Sequence, residues 1–87
     1  MNRTDWQGIF KKRFRAIPDS RDSLPGETTY DIPDKQVIVI IRSPTPTGAL
    51  RAESLTDCEE CLVVNRGQGR RAFVEWEAIE AIATSDN

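Results

Sequence analysis

The sequence predicts a mostly β domain with one N-terminal α-helix, its five strands curled antiparallel into a small barrel. Three observations lead there. Trp6, Ile9, Phe10, Phe14 and Ile17 form an apolar stripe at helical spacing. The run "QVIVIIR", from Gln36 to Arg42, is dominated by β-branched residues. After it, apolar stretches alternate with short polar or glycine-bearing turns. Connections that short join antiparallel neighbours, because a parallel crossover needs a dozen residues or more.

The helix is expected at about residues 5–16, with Thr4 or Asp5 at its start and Pro18 at its stop. Residues 18–35, "PDSRDSLPGETTYDIPDK", are turn-rich and acidic. They read as a linker, or as an irregular wrap over the core anchored by Tyr30 and Ile32. Residues 1–35 therefore form a basic helix plus linker, and residues 36–85 the barrel.

Within the barrel, "QVIVIIR" is apolar on both faces and is expected to be buried on both. "SPTPTG" is a turn, and "GALRAESLT" a second strand of weaker propensity. "DCEE" is a loop tip, "CLVVNR" the third strand, and "GQGR" a hairpin connection. "RAFVEW" is the fourth strand and "AIEAIAT" the fifth, with "EWEA" as a sharp corner between them. A terminal helix over residues 75–83 is the alternative, suggested by its alanines and acids.

The chain has 87 residues, enough for one domain. A domain of this size buries roughly 60–65% of the surface its unfolded chain exposes, so it is marginal alone. Small folds compensate with metal, disulfides or oligomerisation. There is no His, and the only two cysteines, Cys58 and Cys61, are too close in sequence to staple distant parts. Self-association is the supplement left. No apolar stretch is long enough to span a membrane. "MNRTDWQGIF" lacks the apolar core of a signal peptide, so the cytoplasm is the expected compartment. The net charge of −2, from 12 basic and 14 acidic residues, excludes a uniformly basic nucleic-acid coat. It leaves room for locally basic faces. Lys11, Lys12, Arg13 and Arg15 make one on the helix, where either a solvated face or contact with nucleic acid or anionic lipid is open.

The helix-plus-five-strand pattern resembles the Sm-like family, and within it the bacterial Hfq-type proteins. The resemblance covers residues 36–85. Val37, Val39 and Ile41 followed by Gly48-Ala49-Leu50 match the first motif, an alternating strand, a turn and Gly-x-Leu. Phe73-Val74, the corner Glu75-Trp76-Glu77 and Ala78-Ile79-Glu80-Ala81-Ile82 match the second. The resemblance implies a strongly bent, five-stranded SH3-like barrel. It also implies a homo-oligomeric ring, hexameric or heptameric, in which the fourth strand of one copy pairs with the fifth of the next. RNA binding, as a chaperone or scaffold, is the implied function. The sequence departs from the family at the RNA pocket. Hfq-type proteins carry Lys-His at the corner where this chain has Trp76-Glu77. Other Sm proteins carry Arg-Gly where it has Glu75-Trp76. The longer loop "SLTDCEEC" adds Asp57, Glu59 and Glu60 and lacks the family's Asp-x-x-Met-Asn. Carboxylates there repel phosphate.

Basic groups elsewhere are therefore the candidates for RNA contact. Arg66, Arg70 and Arg71 flank "GQG" and suit bidentate phosphate contacts, with a solvated hairpin tip as the plain alternative. Lys12 and Arg13 add a helix-side patch, and Trp76 is a candidate for stacking on a base, against a core or interface role. "CEEC" has the spacing of half a zinc site but lacks further Cys or His ligands, so no metal and no cofactor are implied. No His and no phosphate-binding glycine motif are present, so neither an enzyme nor a small-molecule substrate is expected. The other function class is a protein-binding barrel or scaffold ring without nucleic acid.

Overall fold

The computed structural model describes residues 1–18, 20–42 and 48–86. The "SPTPTG" turn lies largely outside the described residues.

Asn2 opens helix α1 (Arg3–Arg13). Its side chain accepts from the Asp5 backbone N–H at 3.0 Å, and the Asp5 carboxylate accepts from the Asn2 N–H at 3.1 Å. This reciprocal box satisfies amides that a helix start leaves unpaired. The helix thus begins earlier than the sequence suggested, because Asn2 is the cap and Asp5 its returning partner. It ends at Phe14, which is already extended.

Strand β1 (Arg15–Ile17) takes the place of the expected helix end, and the segment expected to be linker contains β2 (Thr28–Asp31), paired antiparallel with it. Six more follow: β3 (Lys35–Ile41), β4 (Ala49–Ala52), β5 (Ser54–Asp57), β6 (Leu62–Gly67), β7 (Arg70–Val74) and β8 (Ile79–Asp86). The mostly β, antiparallel class with one N-terminal helix is as expected. The closed five-stranded barrel is not. Among the described residues the strands form two sheets, ordered β1-β2-β5-β6-β7 and β4-β3-β8, without closing.

Two differences account for this. The expected second strand breaks at Glu53 and divides between the sheets as β4 and β5. Meanwhile β2 adds itself to the free side of β5, an edge a five-stranded barrel would have used otherwise. Between a terminal helix over residues 75–83 and a corner between strands, the C-terminal end takes the second, strand, corner, strand. One turn of 3-10 helix (Trp76–Ala78) sits between β7 and β8.

The core lies between the sheets and under the helix. Val37, Val39 and Ala52 from the smaller sheet meet Tyr30, Leu55, Leu62, Val64 and Val74 from the larger. Phe10 is fully buried, with ring centroids 5.4 Å from Tyr30, 5.2 Å from Phe14 and 6.3 Å from Trp76. Strand β3 was expected to be buried on both faces. Val37 and Val39 are, while Ile38 and Ile40 on the other face remain partly exposed. Asp57 fixes the helix to the sheet. Its buried carboxylate accepts from Arg3 Nε at 2.9 Å and Gln7 Nε2 at 2.6 Å.

The outer face of the larger sheet carries a buried polar row. Thr29 and Thr56 hydroxyls lie 2.7 Å apart, and Asn65 Nδ2 donates to Ser54 Oγ and Thr56 Oγ1, each at 3.0 Å. The segment between β1 and β2 straps over this row. Ser23 Oγ lies 2.5 Å from Thr29 Oγ1, Thr56 donates to the Asp22 carbonyl, and Asp22 pairs with Arg71 at 3.0 Å.

Candidate nucleic-acid interface

The hairpin joining β6 to β7 is built by "GQG". Gly67, Gln68 and Gly69 have φ of 86°, 56° and 76°, the left-handed region that glycine enters without penalty. At Gly67 a second constraint operates. A Cβ there would stand 2.6 Å from Glu53 Oε1, so the missing side chain lets the Glu53 carboxylate lie against the hairpin.

That contact closes one side of an open cleft of about 580 Å³. Its walls are the turn between β2 and β3, the β4 segment around Arg51 to Glu53, and Arg66 and Arg70 of the hairpin. The two hairpin arginines are braced from behind. Arg66 Nε donates to the Arg51 carbonyl at 3.3 Å, and Arg70 Nε to the Gly67 carbonyl at 3.4 Å. Both contacts are long, so they bias the guanidinium orientation without locking it. Their terminal NH2 groups remain for a ligand.

The sequence candidates do not form one site. Arg66 and Arg70 share the cleft. Arg71 is the next residue along β7 and side chains alternate along a strand, so it reaches the opposite face and the Asp22 carboxylate. Lys12 and Arg13 are exposed on α1 beside a separate shallow depression with Gly8 and Ile9. Trp76, a candidate for stacking on a base against a core or interface role, is only 6% exposed and belongs to the core. Its indole N–H donates to the Cys58 carbonyl at 3.1 Å, so it presents no free face and instead pins the loop before β6. Around it, Glu60, Glu75 and Glu77 give the corner an acidic surface.

Sequence reasoning missed Arg51. Its signal was present, because it sits between Leu50 and Ala52 in a strand where those neighbours turn inward. What was hidden was that β4 runs beside β6, which brings Arg51 to Arg66.

Cys58 Sγ donates to the Glu60 carboxylate at 3.1 Å. That hydrogen bond, with burial second, pushes the Cys58 thiol up to about 11 and holds the Glu60 carboxyl below its usual range. Thiolate chemistry is suppressed at Cys58. Among the described residues no cluster of His, Cys, Asp or Glu is arranged to hold a metal. Nor is any helix among them long and apolar enough to cross a membrane.

No family model, curated protein or solved structure matches this chain.

Proposed function

We propose that this chain is an Sm-like protein that assembles into a hexameric or heptameric ring and binds RNA, acting as a scaffold or chaperone and not as a catalyst. One observation carries the reading. Among the described residues β7 ends the larger sheet and β8 the smaller one, as β1 and β4 do at their other ends, so β7 and β8 each offer an unpaired strand edge. Edges like these are aggregation hazards unless they are covered. Pairing β7 of one copy with β8 of the next covers both, and a head-to-tail contact of this kind closes into a ring. Phe73 on β7 is 72% exposed and Leu24 beside it 69%, apolar surface that such a contact would bury. Along β8 the run of residues 81–85 is uncharged, with exposed charges only at Glu80 and Asp86 on either side of it.

RNA binding draws on Arg66 and Arg70, with Lys12 and Arg13 as a second patch. Free thiols at Cys58 and Cys61 fit a reducing, cytoplasmic setting. The test is fluorescence anisotropy of a labelled single-stranded RNA across a salt series. Arg66→Gln with Arg70→Gln should weaken binding and flatten its salt dependence by about 0.7 in log–log slope per lost phosphate contact. Binding that ignores both salt and these substitutions would end the RNA reading.

A second reading, a scaffold ring that binds protein and no nucleic acid, draws support from the acidic corner at Glu60, Glu75 and Glu77. The burial of Trp76 and the engagement of Arg71 by Asp22 also favour it.

A further inference from the structure

We propose that the cleft between the β2–β3 turn, β4 and the β6–β7 hairpin holds one ribonucleotide unit. Its phosphate would lie on Arg51, Arg66 and Arg70, and its hydroxyl or base N–H donors on Asp34 and Glu53. This rests on the RNA reading and names the unit that this one site takes.

The charge inventory of the cleft leads to it. Two of the charged groups in its wall already have partners, since Asp31 pairs with Arg15 and Lys35 with Asp86. Arg51, Arg66 and Arg70 form no ion pair among the described residues, and neither do Asp34 and Glu53. By contrast Arg3, Arg15, Arg42 and Arg71 each have a carboxylate partner. Three cations against two carboxylates leave one positive charge in the cleft. A phosphodiester carries one negative charge, so a single backbone phosphate balances it. Pyrophosphate or a triphosphate would bring charge that the two carboxylates repel.

The carboxylates then need donors. Ionised Asp and Glu only accept hydrogen bonds. A sugar hydroxyl or a base amino group supplies what they accept, and a fully ionised anion such as sulfate supplies none. The 2′-hydroxyl is the group that distinguishes RNA from DNA at a protein site. Ile32 and Pro33 give the same cleft an apolar wall for a sugar or base face. A cleft of about 580 Å³ lies within the usual range of roughly 300–1,000 Å³ for small-ligand sites.

The experiment compares a labelled oligoribonucleotide and the oligodeoxyribonucleotide of the same sequence, by anisotropy, on the full chain. Wild type should bind the RNA about tenfold more tightly. Arg51→Gln, Arg66→Gln and Arg70→Gln should weaken both ligands. Asp34→Asn and Glu53→Gln carry the decision, because all five side chains are exposed and folding is not at stake. If these carboxylates accept donors from the ribonucleotide, neutralising them shrinks the RNA-over-DNA ratio toward one. If they merely repel phosphate, neutralising them tightens both ligands equally and the proposal is overturned. Salt-dependent RNA binding that survives all five substitutions would also overturn the cleft while leaving the RNA reading in place. Failure of the wild type to bind either ligand removes both.

Discussion

At one end of the five-stranded sheet, β1 is a three-residue strand held by its own chain. Arg15 bonds Asp31 through two contacts of 3.0 Å, and the helix leads straight into β1. At the other end, β7 has a neighbour on one side only and carries Phe73 into solvent. The first end belongs to the N-terminal third of the molecule, which sequence reading treated as a helix and a linker, and it is short and tied by that ion pair although its outer edge is also unpaired. The second is the barer, with an aromatic ring in solvent. The difference teaches that the N-terminal segment completes the core and supplies β2 as a partner for β5, while in the proposed ring a second copy would cover β7 and β8.

The comparison breaks most readily at the tied end. Phe10→Ala removes the ring on which the helix, Tyr30 and Trp76 converge. It should cost about 3–5 kcal/mol in urea unfolding. A loss under about 1 kcal/mol would mean the helix is dispensable to the core. Asp57→Ala removes the acceptor for Arg3 and Gln7 and should cost about 2 kcal/mol. Amide exchange in residues 3–13 should rise more than in β6, and uniform exchange across both would contradict the tethering role.

At the bare end the expected effect on folding is smaller and the effect on assembly larger. Phe73→Glu changes an exposed side chain, so the monomer's stability should move by no more than about 0.5 kcal/mol. Light scattering should nevertheless show the oligomer lost. An unchanged oligomer would place the contact elsewhere. The smallest effect concerns Cys58, which lies beside the bare end in the groove with Phe73. In a Cys61→Ser background its alkylation should stay slow through pH 8 and accelerate only as pH approaches about 11, where the thiol loses its proton. Acceleration centred near the ordinary thiol range would show that the Glu60 hydrogen bond is not formed in solution.

The sequence exposed those elements whose pattern is local. The helical stripe, the β-branched run of β3, the glycine hairpin and the corner at Trp76 each follow from spacing or turn chemistry within a few residues. The strands β1 and β2 were not legible. β1 has three residues, and β2, "TTYD", is short and polar, buried because Thr29 and Thr56 hydroxyls satisfy each other. That pairing spans 27 positions, beyond any local pattern. The break at Glu53 was hidden for a similar reason, since no glycine or proline marks it. At the site, Arg66 and Arg70 could be singled out because both flank one hairpin. Arg51 could not, because its proximity depends on β4 lying against β6. Which of its two roles Trp76 takes was not legible, because a tryptophan at a corner can face solvent or core and the Cys58 carbonyl that accepts from its N–H lies 18 positions away.

Native mass spectrometry of the freshly purified full chain tests the central claim most directly. The account predicts one discrete closed assembly of hexameric or heptameric mass, with nucleic acid attached to part of it. A monomer or a simple dimer at micromolar concentration would contradict it, and the unpaired edges of β7 and β8 would then need another explanation.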